Sequence, residues 1–306
     1  MKKTLVLIAV AVPTGIAVGA VDAFFGRVLL YLGAVRDAHT AWFLPFLGLI
    51  GALMAWAYKR YGAGCENGMG MVFEAGHAER EAIPLRLVPF VICATWLTHL
   101  FGGSAGREGV AVQLAAAPEW SAELALELTA LGIVFGLTGA AFAFCLKRAK
   151  KLAQNRLKNP VLRALVMGVA LSPVLYLLYR GRYCGLGTNL INASLAGEPI
   201  YAWDWALKLA LTVLTLSAGF QGGEVTPLFS IGASLGAALA GHLGLPAAFC
   251  AALGYAAVFG SATNTLLAPA LIGAEAFSWA AAPHFFAVCA LAYAVNGGRS
   301  IYSGQK

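Results

Sequence analysis

The chain has 306 residues, of which 60% are hydrophobic and 11% are charged, and its formal net charge is +7. Soluble domains carry about 25% charged residues, whereas the mean hydropathy of +0.76 is typical of a chain that lies in a bilayer. The composition therefore excludes an ordinary soluble domain and predicts an all-α polytopic membrane protein.

Apolar runs of spanning length recur along the chain, since about 20 apolar residues cross a bilayer. These runs cover residues 4–25, 42–58, 85–101, 126–146, 162–178, 206–220, 246–260 and 280–295. The first run is interpreted as a retained helix and not as a signal peptide, because apolar residues continue to Leu32 without a small-residue cleavage site. We expect a single transmembrane domain over 1–306, with an N-terminal half of about 1–146 and a C-terminal half of about 159–306.

A basic connection separates the two halves. Lysine and arginine residues crowd the stretch 147–158, and Lys2 and Lys3 mark the N-terminus. The positive-inside rule places both in the cytoplasm. A topology signal explains this run better than nucleic-acid binding, because the run lies beside spanning helices. We therefore expect a multi-pass protein of the bacterial inner membrane with both termini in the cytoplasm and no nucleic-acid partner.

Glycine-rich stretches interrupt three apolar segments, at 64–70 (GCENGMG), 102–109 (GGSAGREG) and 219–227 (GFQGGEVTP). Non-helical backbone at membrane depth is tolerated only where protein or a water-filled cavity surrounds it. The last two stretches follow the same pattern, with two threonines three residues apart, a glycine four residues later and then Glu108 or Glu224. Broken helices at corresponding positions of two halves indicate a transporter with internal repeats.

The interruptions predict a site for a small anion. A helix N-terminus presents unpaired N–H groups and a partial positive charge, and glycine lets the backbone approach an ion closely. Glu108, a costly carboxylate in a membrane, can occupy such a site as a tethered anion and leave it when protonated; a structural ion pair with Arg107 is the alternative. Thr226 offers a hydroxyl donor or serves as an ordinary N-cap, and Pro227 suits the first turn of a new helix.

A hydrolase is the alternative from another functional class. Residues 102–106 match G-x-S-x-G, so Ser104 with His99, His242 or His284 would form an intramembrane serine hydrolase. The nucleophile elbow requires a strand before the serine, however, and the segment before Ser104 is predicted to be helical. No H-E-x-x-H or phosphate-binding P-loop motif is present, so we expect neither a metal nor a cofactor.

Five stretches resemble the CLC chloride channel/transporter family and, within it, the fluoride-specific branch of fluoride/proton antiporters. They are the segment 83–106, GREGVAVQ (106–113), GGEVTPLFSIGASLG (222–236) and the segments 254–277 and 292–305. The resemblance covers most of the chain from about residue 60. It implies an inverted-repeat architecture in which broken helices meet at a mid-membrane anion site, with fluoride and protons as the transported ions.

The resemblance also implies roles for individual residues. Glu108 would be the gating glutamate that exchanges with the anion and carries the proton, and Glu224 would be a polar-track acid near the site. Tyr302 would lie near the inner gate, and Met69 stands where chloride-selective members have a coordinating serine. The positions expected to bind the anion are Met69, Phe73, Gly106, Gly109, Val225, Thr226 and Tyr302.

The chain departs from the family between Gln113 and Gly132. Family members carry several more helices there, including helices that help to form the homodimer interface, whereas only a short stretch joins these residues here. The sequence therefore predicts that an internal segment is missing after residue 113. The sequence leaves open whether the shortened chain forms a homodimer. It also leaves open whether the chain exchanges fluoride for protons, acts as a passive fluoride or chloride channel, or has lost transport.

Overall fold

A computed structural model of the chain describes residues 21, 24–29, 31–62, 84, 86–103 and 118–302. The described residues form helices and the connections between them, and they contain no β-strand. The first helical residues are 24–29 and 31–38. The later helices are α1 (Leu47–Tyr61), α2 (Leu87–Leu100), α3 (Ala122–Arg156), α4 (Pro160–Leu177), α5 (Thr188–Ala196), α6 (Asp204–Ala218), α7 (Val225–Leu243), α8 (Ala247–Thr263), α9 (Leu267–Ala276) and α10 (Ala282–Asn296).

Five stretches of the described chain are long and apolar enough to cross a membrane, which confirms the predicted fold class. They are Thr40–Tyr61, Ala122–Arg156, Pro160–Leu177, Val225–Leu243 and Trp279–Asn296. Shorter apolar helices accompany them at Val88–Leu100, Ala247–Thr263 and Leu267–Ala276. The chain is therefore a polytopic helical membrane protein, while most of the first predicted run, 4–25, lies outside the described residues.

Glycines in the left-handed region end two of the helices, as the interruptions in the sequence predict. α2 ends at Leu100 and Gly102 has φ +86, while α6 ends at Ala218 and Gly219 has φ +100. A side chain is strained at such φ values, so glycine is the residue that lets the chain leave the helix. The third interruption, 64–70, is not among the described residues.

The predicted basic connection proves to be mostly helical. α3 is 35 residues long and continues to Arg156, so that only residues 157–159 separate it from α4. Lysine, arginine, alanine, leucine and glutamine all favour helix, and neither glycine nor proline occurs between Lys147 and Pro160. At 1.5 Å per residue α3 measures about 52 Å, longer than a bilayer is thick, so the basic end of the helix extends beyond the membrane.

α7 and α8 pack closely enough that only glycine fits at their contact. A Cβ atom on Gly232 would collide with the carbonyl oxygen of Gly254, and one on Gly236 would collide with that of Cys250. Close backbone approach through small residues is the usual way in which helices associate in membranes. This contact fixes α7, whose first turn carries Val225 and Thr226, against α8.

We predict that Gly232→Ala destabilises the fold whereas Gly241→Ala on the same helix does not. The added methyl group at Gly232 has no room, and overpacking costs about 1–3 kcal/mol; among the described residues, nothing lies within 4 Å of a Cβ on Gly241. Alanine favours helix over glycine, so Gly241→Ala should be neutral or slightly stabilising. Thermal unfolding in detergent measures the difference, and equal melting temperatures would contradict this packing of α7 on α8.

Candidate anion site

At the start of α7, the side chain of the N-cap residue does not accept a hydrogen bond from the first N–H groups of the helix. That residue is Glu224, and its side chain makes no capping hydrogen bond. Pro227 lies in the first turn, as the sequence predicts, and contributes no N–H group. The N–H groups of Val225 and Thr226 therefore lie at the positive end of a 19-residue helix, which is an environment that suits an anion.

Two buried hydroxyl groups follow along the same face of α7. Thr226 is 2% exposed and Ser230 is 0% exposed, and neither Oγ atom has a hydrogen-bond partner among the described residues. Residues four apart share one helix face, and a buried hydroxyl without a partner costs free energy. Thr226 is not the N-cap, so the interpretation of this residue as an ordinary cap is wrong. Both hydroxyls are available to donate to a ligand.

The Glu224 side chain contacts the basic end of α3. Its Oε1 atom lies 3.7 Å from Nζ of Lys150 near the basic end of α3, and the two side chains are 19% and 42% exposed. An ion pair with that exposure contributes little to stability. The contact instead establishes that the α7 start lies on the same side of the protein as the basic end of α3, with a carboxylate between the two.

Tyr302 lies in a segment held against the end of α8. The N–H group of Ile301 donates to the carbonyl oxygen of Ala262 at 2.9 Å, and Ser300 Oγ donates to that of Thr263 at 3.3 Å. The backbone N–H of Tyr302 donates to Ser300 Oγ at 3.1 Å. Because α8 packs on α7, these contacts attach the segment that carries Tyr302 to the helix pair that carries Thr226.

The structure thus brings Glu224, Val225 and Thr226 together at one helix start and anchors Tyr302 on the neighbouring helix. Five other predicted site residues, and the serine of the hydrolase alternative, lie outside the described residues: Met69, Phe73, Gly106, Glu108, Gly109 and Ser104. Their predicted roles remain predictions.

Lys208 is a buried polar residue that the sequence interpretation missed. It is 0% exposed on α6, and its Nζ atom donates to the carbonyl oxygens of Gly185 at 2.7 Å and Tyr183 at 3.1 Å. A Cβ on Gly187 would lie 2.5 Å from Ser230 Oγ and 2.8 Å from Lys208 Cε, so the lysine stem lies beside the polar face of α7. A lone charge in the apolar run 206–220 was the available signal, since ionisable residues in membrane segments commonly have a function.

Asp204, at the start of α6, organises the connection that precedes it. This carboxylate is 0% exposed and accepts hydrogen bonds from Arg182 at 2.7 and 3.3 Å, from the Tyr183 hydroxyl at 2.6 Å and from the N–H of Tyr201 at 3.1 Å. The hydrogen bond with Asp204 raises the pKa of Arg182. Burial, followed by the same carboxylate, raises the pKa of Tyr183, so its hydroxyl stays a donor.

Comparison with known proteins relates this arrangement to anion transporters. The sequence profile described as voltage gated chloride channel matches residues 50–119 and 117–297. A chloride/fluoride channel protein of Pseudomonas syringae pv. tomato is 29% identical over 381 residues, covering 94% of this chain and 83% of the relative. The crystal structure of a CLC-type fluoride/proton antiporter is similar with a TM-score of 0.92 and 39% identity, covering 94% of each chain.

A second solved structure, of a slow cyanobacterial Cl⁻/H⁺ antiporter, has a TM-score of 0.73 at 15% identity and covers 92% of this chain and 91% of that one. At that identity the similarity concerns the fold alone.

The comparisons also confirm the missing internal segment. The alignment with the Pseudomonas relative is longer than this chain, so that relative carries residues without a counterpart here. The two matched segments of the profile meet at residues 117–119, within the stretch between Gln113 and Gly132 where the sequence predicts the loss.

Proposed function

We propose that this chain, which belongs to the voltage gated chloride channel family, exports fluoride from the cell in exchange for protons. The likeness to the solved fluoride/proton antiporter is the observation that carries the proposal. Thr226 supplies chemistry that fits it, because a buried hydroxyl beside the N-terminus of α7 can donate to a small, strongly hydrogen-bonding anion.

The proposal assigns each predicted site residue a step. Fluoride binds at the α7 start through the hydroxyl of Thr226 and the backbone at Val225, and the remaining anion contacts come from Met69, Phe73, Gly106, Gly109 and Tyr302. Glu108 takes up a proton, leaves the anion site and returns when it loses the proton. Glu224, beside Lys150 at the basic end of α3, passes protons between this site and the cytoplasm.

Exchange with protons explains how export proceeds uphill. Fluoride enters cells as neutral HF and is trapped as the anion in a more alkaline cytoplasm, so export has to be coupled to a driving force. Inward proton movement supplies it. The proposed location is the bacterial inner membrane, with both termini and the basic end of α3 in the cytoplasm according to the positive-inside rule. A homodimer would have to use an interface other than the one made by the missing helices.

We predict that Thr226→Val weakens fluoride binding about tenfold or more, because it removes a donor to a charged acceptor worth roughly 1.5–3 kcal/mol. Valine keeps the shape of the side chain, and Thr226→Ser keeps the hydroxyl, so the serine variant is the control and should bind fluoride as the unmodified chain does. Isothermal titration with fluoride in detergent measures both. Equal fluoride affinity of the valine variant would place the anion elsewhere.

The same proposal makes the chain a transporter and not an enzyme, and Ser104 distinguishes the two. We predict that Ser104→Ala leaves fluoride flux unchanged and that a fluorophosphonate probe does not label the purified chain. An intramembrane hydrolase predicts the reverse, with labelling that disappears in Ser104→Ala.

A further inference from the structure

A cavity of about 570 Å³ lies at the connection between α4 and α5, which is the end of α4 opposite the basic end of α3. α4 starts at Pro160, shortly after α3 ends, and its 18 residues carry the chain about 27 Å across the membrane to Leu177. The cavity walls come from the helical residues 31–38, from His99 of α2, from the connection between α4 and α5, and from the first residues of α5.

A stack of exposed aromatic side chains lies at this cavity. Tyr179 and Tyr201 line it and stack on each other with ring centroids 5.0 Å apart, and Trp203 stacks on Tyr201 at 5.4 Å. Trp203 is exposed as well, and so are Tyr31, Trp42 and Tyr176, each of which lies within three residues of a lining residue along the chain. Tyrosine and tryptophan concentrate at the level of the lipid headgroups, so the cavity opens at that depth.

Arginine side chains give the cavity a positive charge. Arg36, Arg180 and Arg182 line it, and among the described residues the only carboxylate in the lining is Asp37, which pairs with Arg36 at 2.6 Å. Arg182 directs Nε and Nη2 to Asp204 and keeps Nη1 without a hydrogen-bond partner in the described ranges. Arg180 is exposed, has φ +52 and makes no ion pair or hydrogen bond within the part of the chain that the structure describes. Guanidinium donors therefore remain available at the cavity.

The start of α5 adds backbone donors. Gly187, Thr188 and Asn189 line the cavity, and Gly187, with φ +81, caps the nine-residue helix without a side-chain hydrogen bond. A helix N-terminus favours negative charge, and arginine forms paired hydrogen bonds with phosphate oxygens. Arg180, Nη1 of Arg182 and the first turn of α5 together form a cavity wall suited to phosphate.

We propose that this cavity binds the phosphate of an anionic phospholipid from the leaflet opposite the basic end of α3. The aromatic rim places the cavity at headgroup depth, and its volume exceeds that of a phosphate group, which leaves room for the rest of a headgroup. Leu177, 79% exposed beside the cavity, offers an apolar surface for the acyl chains. A free phosphate ion would need none of these interfacial features.

The bound lipid would stabilise the end of α2, because residues that line the cavity or lie beside it contact that end. Arg36 Nη1 donates to the carbonyl oxygen of His99 at 3.3 Å, and the N–H of Gly185, in the connection between α4 and α5, donates to that of Gly103 at 3.2 Å. A ligand that binds only the folded state raises its stability in proportion to the logarithm of ligand concentration. The bound lipid should therefore raise the melting temperature of the protein.

The test is thermal unfolding of the delipidated full-length chain in detergent with added dioctanoyl phosphatidylglycerol. We expect a saturable rise in melting temperature, no rise with dioctanoyl phosphatidylcholine, and no rise with inorganic phosphate at the same concentration. Arg180→Gln should raise the phosphatidylglycerol concentration that gives half of the maximal rise about tenfold, as expected for the loss of charge-assisted hydrogen bonds. Arg156→Gln, the same change on an exposed arginine at the other face, should leave the effect intact.

Three outcomes would overturn the proposal. An equal rise with phosphatidylcholine would mean that the headgroup charge is not recognised. An equal rise with inorganic phosphate would make the cavity a site for a free anion. An Arg180→Gln variant that responds like the unmodified chain would place the lipid elsewhere. None of these measurements depends on fluoride transport.

Discussion

Glu108→Gln is expected to abolish proton movement coupled to fluoride. Glutamine has the shape of glutamate but neither carries a negative charge nor takes up a proton at physiological pH, so it cannot alternate with the anion in the site. In liposomes that hold the purified chain, an outward fluoride gradient should drive proton uptake. In the variant, proton uptake reported by a pH-sensitive dye should fall to the rate of protein-free liposomes.

Glu119→Gln is the matched control for this experiment. Glu119 is exposed just before α3, and the same chemical change there should leave proton uptake intact. If Glu108→Gln retained the proton uptake of the unmodified chain, the proton carrier would be another group, and the role that the family resemblance implies for Glu108 would be wrong.

Asp204→Ala is expected to destabilise the fold more than Gly232→Ala does. The substitution leaves the buried Tyr183 hydroxyl, the N–H of Tyr201 and the charge of Arg182 without their acceptor. Removing one partner of a buried ion pair costs about 3–5 kcal/mol, and the 24% exposure of the Arg182 side chain favours the lower end because water solvates part of that charge.

Asp37→Ala provides the comparison. Asp37 also pairs with an arginine, Arg36, at 2.6 Å, but the side chain of Asp37 is 66% exposed, while that of Arg36 is 9% exposed. Water solvates this carboxylate, so it contributes less than the fully buried Asp204 does, and after the substitution Arg36 keeps the carbonyl oxygen of His99 as an acceptor. The Asp37→Ala variant should therefore unfold at a higher temperature than Asp204→Ala. Circular dichroism during heating in detergent measures both variants. Equal melting temperatures would mean that the Asp204 cluster does not hold the connection in place.

Local chemistry predicted the features that sequence neighbours determine. The helix ends at Gly102 and Gly219 follow from glycine tolerance of positive φ, and the helix that begins just before Pro227 follows from the fixed φ of proline. The missing segment between Gln113 and Gly132 was also predictable, because it changes the spacing between motifs.

Long-range contacts could not be predicted in the same way. Asp204 collects its donors from residues up to 22 positions away, and the cavity combines residues 31–38 with the start of α5. The polar spacing of Thr226 and Ser230 was visible, but their burial depends on the packing of α7. The burial of Lys208 was not predicted, because a single lysine barely changes the hydropathy of an apolar run. The carbonyl oxygens that accept from its Nζ atom come from another part of the chain, which the sequence does not reveal.

The most direct test of the proposed function is uphill fluoride movement in liposomes. Vesicles that hold the purified chain start with equal fluoride on both sides and an imposed proton gradient, with chloride as the competing anion, and a fluoride electrode follows the external concentration. Exchange predicts that fluoride leaves this equal distribution, accumulates on one side by moving in the direction opposite to protons, and that a protonophore stops the accumulation. Fluoride that stays at equilibrium under the proton gradient would contradict proton-coupled export, because a passive channel or a shortened chain without transport would give that result.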